Sequence, residues 1–347
     1  MRKTQTPAAR KATIDDVAAL AKVSIKTVSR VFNSEPNVRP TTRERVLAAA
    51  KELDYRPNLS ARRLAAKRAF VIGLLYDNPQ SDYIIAIQEG SLEICRQYGY
   101  QLLIHPCSDV GANLVDEVLS LKHQGIVDGF LLSQPISENE VLLGALTEQG
   151  IPHVRISQRA IGDAPRVAVD DEQAALRLTE HLIELGHHRI GFVMGHPDHG
   201  SSHDRYDGYV KAMRGAGLPI DASWVEQGTY NFESGYAAAR RLLTLSPRPT
   251  AIFACNDHMA MGVLVAAHER RLEIPADLSV CGFDDTPMAH YAWPPLTTSR
   301  QPIKQVALIA TEVLLKRIQG GSEGDDHFLL HSELVRRDST GPCPEGP

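Results

Sequence analysis

Residues 13–33 read Thr-Ile-Asp-Asp-Val-Ala-Ala-Leu-Ala-Lys-Val-Ser-Ile-Lys-Thr-Val-Ser-Arg-Val-Phe-Asn, and no other stretch restricts the fold so tightly. The spacing predicts two short helices joined by a tight turn. Thr13 is a candidate N-cap, and Asp15 and Asp16 follow in the first turn, where the positive end of a helix favours acids. Val17, Ala18, Leu20 and Ala21 supply an apolar stripe. Ser24 caps a second helix whose inner face is Val28 and Val31. Its outer face carries Ile25, Lys26, Thr27, Ser29, Arg30 and Asn33. Donors, positive charge and small apolar contacts in that mixture suit a DNA major groove. The alternative is a pair of amphipathic helices inside a larger bundle, and the wealth of base- and phosphate-reading residue types argues against it.

Charge is divided unevenly along the chain. Residues 1–68 hold 16 Lys or Arg against 6 Asp or Glu, a balance of +10; with −5 overall, the rest carries −15. A basic head on an acidic body is the pattern of a small nucleic-acid-binding domain joined to something else. At 347 residues there is length for two or three domains. The five cysteines (Cys95, Cys107, Cys255, Cys281, Cys343) are odd in number, widely spaced and without a CxxC pair. They read as reduced thiols in a cytoplasmic protein. Neither a signal-peptide h-region nor a membrane-length apolar run is present.

Residues 1–12 read as a disordered basic tail. Residues 13–57 form the helical head, with a third helix expected over 43–53, capped by Thr41 or Thr42 and facing Val46, Leu47, Ala50 and Leu53 inward. Residues 58–68 are a helix-capable linker with Asn58 as cap, too short to be stable alone. From Phe70 onward, strand and helix alternate. Strands are expected over 70–76, 100–105, 129–132 and 153–156, with helices over 84–98, 113–124 and 138–148 between them. The pattern repeats, with helices over 171–185, 203–216, 232–244 and 257–270 and strands over 189–194, 224–227, 251–255 and 279–283. A late helix spans 301–319. The expectation is an α/β body of two doubly wound parallel-sheet lobes over 69–338. The Gly/Pro-rich segment 339–347 reads as a disordered tail.

The ordered chain resembles the lactose-repressor (LacI/GalR) family of bacterial transcription regulators. The resemblance is carried in the head by residues 13–18, 23–33 and 38–46, and by Tyr55-Arg56-Pro57-Asn58 with Ala61 and Leu64. In the body it is carried by Gly186-His187-His188-Arg189-Ile190-Gly191-Phe192, Arg205-Tyr206-Asp207-Gly208-Tyr209, Asn256-Asp257-His258-Met259-Ala260-Met261-Gly262, Gly282-Phe283-Asp284-Asp285 and Pro295-Leu296-Thr297-Thr298. It implies a homodimer on a pseudo-palindromic double-stranded DNA operator. It also implies a periplasmic-binding-protein-like body holding a small effector, a sugar or sugar phosphate, between two lobes. The Gly/Pro tail lacks the leucine heptad with which some members form tetramers. By the family pattern Ile25 and Lys26 open the recognition helix toward base edges, and Arg30 reaches a guanine or a phosphate. Thr13, Ser24, Thr27, Ser29, Asn33 and Asn37 are candidates for positioning on phosphates. Leu64 resembles the family's minor-groove wedge, Ala61 must be small where two hinge helices pack, and Arg62 reaches phosphate. A plain flexible linker is the alternative reading of that segment.

Ligands of open α/β sheets bind at the carboxyl ends of the strands. Arg205, Asn256, Asp257 and Asp284 fall there and supply donors and acceptors for a polyol. Tyr83 and Tyr230 match positions at which relatives place stacking aromatics, while Ser133, Ser157 and Arg159 end first-lobe strands. A helix cap or a salt bridge is the alternative for any one of them. His187, His188, His196, His199 and His203 fit no tight zinc spacing, so no metal or cofactor is expected. A solute-binding protein would lack the basic head. An enzyme would need a nucleotide or nucleophile motif, and no P-loop, nucleophile elbow or GxGxxG is found. The reading is a non-enzymatic cytoplasmic repressor, working at the nucleoid.

Overall fold

A computed structural model of the chain describes residues 12–32, 38–55, 63, 66–78, 80–107, 113–157, 163–321 and 326–344. These fall into two compact units, 1–68 and 69–347.

The head unit holds α1 (Ile14–Leu20), α2 (Ile25–Phe32) and α3 (Pro40–Glu52). Thr13 and Asp16 form a reciprocal capping box: the Thr13 amide donates to Asp16 Oδ2 at 2.7 Å, and the Asp16 amide donates to Thr13 Oγ1 at 3.4 Å. The third helix starts three residues before its expected start, at Pro40, and no side chain caps it. Proline's fixed φ suits the first helical position and its missing N–H has no partner to lose there, so the helix begins ahead of the two threonines. The core of the head is Val17, Ala18, Ala21, Val28, Val31, Val46, Ala49 and Ala50. Leu20 and Leu47, expected inward, are 42% and 48% exposed. The buried faces run 14-17-18-21 and 46-49-50-53, at spacings of three and four, and both leucines fall off those stripes. Arg43 Nη1 donates to the Val31 carbonyl at 3.1 Å, tying α3 to the end of α2.

In the body unit the first lobe is a six-stranded parallel sheet: β1 (Val71–Tyr76), β2 (Gln101–Pro106), β3 (Gly129–Leu132), β4 (His153–Ile156), β5 (Arg166–Val169) and β11 (His327–Leu330), in the order β2-β1-β3-β4-β5-β11. Helices α4 (Ser81–Tyr98), α5 (Leu114–His123) and α6 (Glu140–Glu148) connect its early strands. The second lobe is a four-stranded parallel sheet, β6 (Ile190–Met194), β7 (Val225–Gln227), β8 (Ala251–Ala254) and β9 (Ser279–Cys281), in the order β7-β6-β8-β9. It is flanked by α7 (Asp171–Glu184), α8 (Gly200–Gly215), α9 (Phe232–Leu242), α10 (Asp257–Glu269) and the short α11 (Pro287–Tyr291). The chain then returns to the first lobe through α12 (Ile303–Ile318), which packs on α4. A two-stranded antiparallel ribbon, β10 (Thr298–Arg300) with β12 (Glu333–Val335), accompanies the crossing. No described helix is long and apolar enough to cross a membrane, and all five cysteines are free.

Strands β5, β10, β11 and β12 have no counterpart in the sequence reading. Each is only three or four residues long; β11 is largely exposed, and the apolar run of β5 is only Val167-Ala168-Val169, shorter than the run that marks a buried strand. The segment expected as a disordered tail is packed through Pro344. Ser339 is fully buried, donating to Val280 O at 2.6 Å and accepting from the Thr297 amide at 2.8 Å. The Cys343 amide donates to Leu185 O at 2.8 Å. Glycine and proline exclude a helix there, but not a chain that supplies hydrogen bonds to β9 and its surroundings.

Helices in the body approach closely through glycines. A Cβ at Gly208 on α8 would meet the Glu172 carbonyl of α7 and lie 2.9 Å from Ala175 Cβ. Helix propensity alone favours Gly208→Ala by about 1 kcal/mol. Forcing the helices apart costs about 1–3 kcal/mol. The substitution is therefore expected to lower the melting temperature; a rise would mean that the α7–α8 contact is loose.

Candidate functional site

The second helix of the head presents its reading face to solvent. Ser24, Ile25, Lys26 and Arg30 are exposed, Thr27 and Ser29 are half-buried, and Val28 and Val31 point inward. Ile25 leaves 47% of its surface exposed at the very start of α2. No acid stands in that first turn, so the positive end of the helix is open to phosphate. Ser24 Oγ accepts from the Thr27 amide at 3.2 Å and lies 2.9 Å from Thr27 Oγ1. Thr13 has its hydroxyl engaged in the capping box, which makes it a cap first. Asn33, Asn37, Asn58, Ala61, Arg62, Leu64 and Arg159 lie outside the described residues.

In the body, side chains of both lobes converge at the carboxyl ends of the strands on a cleft of about 440 Å³, its open mouth included. Tyr83 on α4, Ser157 after β4, Asp171 at the start of α7, Arg205 on α8, Tyr230 before α9 and Gln301 before α12 form its walls. Arg205, 95% buried by its 5% exposure, stands among them. Its guanidinium carbon lies 3.8 Å from the centroid of the Phe283 ring. Nη1 donates to the Cys255 carbonyl. Nη2 lies 3.5 Å from an Asp171 oxygen and 3.6 Å from an Asp284 oxygen. Nε has no partner among the described residues. Asp284 in turn accepts from Gln301 Nε2 at 2.6 Å.

The electrostatics follow from burial. Desolvation pushes the Asp171 carboxyl up to about 6, with Arg205 pulling the other way. Asp284 is raised by the same cause against the same pull. Burial opposes the charge on Arg205, but Asp171, Tyr230 and Asp284 outweigh it and hold the guanidinium protonated. His199 at the cleft wall is lowered to about 4 by burial and by the nearby His196 and Arg205, so its ring is neutral at pH 7.

Of the nine residues expected at this site, Tyr83, Ser157, Arg205 and Tyr230 line the cleft. Asp284 stands behind Arg205. Asn256 and Asp257 do not line the cleft, and both are fully buried. Asn256 caps α10, accepting from the Met259 amide at 2.9 Å, and donates to the Tyr230 carbonyl at 2.9 Å. Asp257 accepts from the Thr286 amide at 2.7 Å, the Thr286 hydroxyl at 3.1 Å and the Thr298 hydroxyl at 2.7 Å. It fastens the segment after β9 to the start of α10. Strand-end polar residues face either the ligand or the surrounding backbone; Asn256 turns to the helix it caps and Asp257 to Thr286 and Thr298. Ser133 is fully buried off the cleft. The sequence reading missed Gln134, Asp171 and Gln301, which line it. Asp171 was within reach: Val167-Ala168-Val169 just ahead of it is a short apolar run.

Asp257→Asn isolates that buried carboxyl. Burial, then the neighbouring Asp284, raise its pKa. It therefore keeps its proton in the fold at a pH where the unfolded chain, with a carboxylate near 4, has released it. Its contribution to stability is present at low pH and declines as pH rises from about 4 toward the raised native value. The melting temperature of wild type minus that of Asp257→Asn is expected to fall across this window. A difference that grows with pH would mean that the ionised form is the stabilised one.

Comparison with known proteins matches residues 13–58 to "Bacterial regulatory proteins, lacI family" and residues 179–340 to "Periplasmic binding protein-like domain". Catabolite control protein A of Priestia megaterium is 35% identical over 94% of this chain and 99% of that protein. The HTH-type transcriptional repressor PurR of Photobacterium profundum is 33% identical over 94% of this chain and 98% of its own length. Among solved structures, the lac repressor dimer bound to operator and the anti-inducer ONPF superposes with a TM-score of 0.75 at 29% identity, covering 96% of this chain and 100% of that one. The transcriptional regulator CelR in complex with cellobiose gives 0.72 at 29% identity, over 94% and 99%.

Proposed function

The chain belongs to the lacI family of bacterial regulatory proteins, and from that membership we propose that it represses carbohydrate-utilisation genes, as a homodimer on a pseudo-palindromic operator, under the control of a small sugar-type effector held in the cleft. It is a DNA-binding transcription regulator, and its relatives are regulators rather than enzymes. It acts in the cytoplasm, where the operator is.

The observation that carries the effector reading is the lining of the cleft. Tyr83 and Tyr230 offer aromatic faces, and Asn78, Gln80, Gln134, Ser157, Ser201 and Gln301 offer uncharged donors and acceptors around Arg205. Such a mixture matches the hydroxyls and apolar faces of a sugar ring. The neighbour solved with cellobiose supports the same class. The exposed start of α2 supports the operator reading, with Ile25 packing on a thymine methyl and Lys26 donating to a guanine. Exposed apolar side chains support the homodimer: Ile85 on α4 is 50% exposed, Val265 on α10 38%, Tyr291 84% and Trp293 91%. Sedimentation at micromolar concentration is expected to give the mass of two chains; a monomer or a tetramer would refute this.

Lys26→Ala is expected to relax specificity at one base pair in each half-site. Selection from a randomised operator pool reads this directly, and uniform weakening on all sequences would reassign Lys26 to a phosphate. A thermal-shift screen of sugars and purines against the full chain tests the effector. A sugar is expected to raise the melting temperature by mass action and to change operator affinity; a shift by purines alone would overturn the carbohydrate reading.

A further inference from the structure

Resting on the reading of the cleft as an effector site, we propose that it takes an uncharged polyhydroxy ligand and rejects phosphorylated and carboxylated analogues. Two features of an α/β cleft attract anions: an available guanidinium and the helix N-termini that gather at the carboxyl ends of the strands. In this chain the protein's own carboxylates already stand at both.

Arg205 is enclosed. Its Nη1 is held by the Cys255 carbonyl and its Nη2 lies between Asp171 and Asp284, while one face is covered by Phe283. One cation against two carboxylates leaves the cluster with net negative charge. The fork that would grip a phosphate or carboxylate already faces the protein's own oxygens, and Nε has no partner among the described residues.

The helix N-termini follow the same rule. α4 and α7 carry acids in the first turn, Asp82, then Asp171 and Glu172, and the first turn of α10 is closed by the Asn256 cap, which accepts from the Met259 amide. α12 carries none, but the Gln301 that precedes it is bonded to Asp284 and Ile303 opens it toward the cleft with an apolar side chain. α8 carries no acid either and opens Gly200-Ser201-Ser202, which by itself is a suitable cradle for an anion. Glu138 of the first lobe fills it. A Cβ at Gly200 would lie 2.6 Å and 2.9 Å from the two Glu138 carboxylate oxygens. The carboxylate is steadied on its own lobe by Gln134 Nε2 at 3.0 Å and Ser157 Oγ at 2.9 Å, both donating to Oε1.

A phosphate entering this space meets like charge at low dielectric from Asp171 and Asp284. A hydroxyl instead donates to either carboxylate and accepts from Arg205 Nε or the neighbouring amides. Asp171 and Glu138 are therefore the residues that set the charge of the effector.

The test is calorimetric titration of the full chain with matched probes: glucose, glucose 6-phosphate and glucuronate; ribose and ribose 5-phosphate; cellobiose and cellobionate; with hypoxanthine and guanine alongside. A neutral sugar is expected to bind at least about tenfold tighter than its charged partner, because juxtaposed like charges are costly. In Asp171→Asn and in Glu138→Gln, with circular dichroism and melting confirming the fold, that gap is expected to shrink to within about threefold, the charged member gaining. A charged member that binds wild type as tightly as its neutral partner overturns the charge inference alone. So does an unchanged gap in both folded variants. Binding by the purines but by no sugar sinks the sugar reading on which the inference rests, and silence across the panel sinks both.

Discussion

The body of this regulator depends on one buried arrangement, the Arg205 guanidinium held between Asp171 and Asp284 and stacked on Phe283. Taking three charges out of water is expensive, and it is tolerated only where partners and geometry repay the loss of hydration. Asp171 starts α7, Arg205 sits on α8, and Asp284 follows β9, so the cluster holds together three separate stretches of the second lobe. Gln301 extends it to the return crossing, since its amide donates to Asp284 just before α12 enters the first lobe. Removing Arg205 leaves two carboxylates buried and unpaired, which is more damaging than never having had the cluster, whereas removing either aspartate leaves Arg205 its other partner. The cleft is polar because this network must exist, and the shape of the network then decides what else can enter.

The head was legible from the sequence because its information is local. A capping box, two valines at a spacing of three and a reading face on the opposite side all fall within 21 consecutive residues. What misled there was hydrophobicity without register: Leu20 and Leu47 are apolar enough for a core but sit off the buried stripe. In the body, the alternation of strand and helix announced two parallel sheets, while β5 and β11 were too short or too exposed to register. Missing β5 hid Asp171, because an acid at the start of a helix looks like an ordinary dipole partner until the strand before it shows that it stands at the ligand end of a sheet. Asn256 and Asp257 failed the other way. They are at the correct end of β8, but their side chains turn back to the backbone of α10 and the hydroxyls of Thr286 and Thr298. Sequence gives the position of such a residue along the strand and not the direction in which its side chain turns.

The contact between Glu138 and the start of α8 joins the two lobes without any bulky side chain at the junction. Asp82 and His258 approach across the same cleft at 3.8 Å. These are contacts that one lobe arrangement makes and another would break, and a ligand shifts such an equilibrium only through its differential affinity for the two. Gly200 matters here for its lack of a side chain: any Cβ would displace the carboxylate from the helix end. This lobe contact therefore depends on a space kept empty as much as on the groups that meet there.

The two ends of the molecule obey different electrostatics. The head unit, with its balance of +10, meets a polyanion, and every phosphate it neutralises releases counterions, so operator affinity falls steeply with salt. The cleft holds its Arg205 guanidinium against the protein's own carboxylates, and an uncharged effector would displace no counterions there, which would leave its affinity nearly independent of salt. Whatever salt dependence appears in effector-controlled operator release then belongs to the DNA arm of the cycle. With an uncharged effector, the coupling free energy between the two sites, which linkage makes the same from either side, would come from hydrogen bonds, stacking and the lobe contacts.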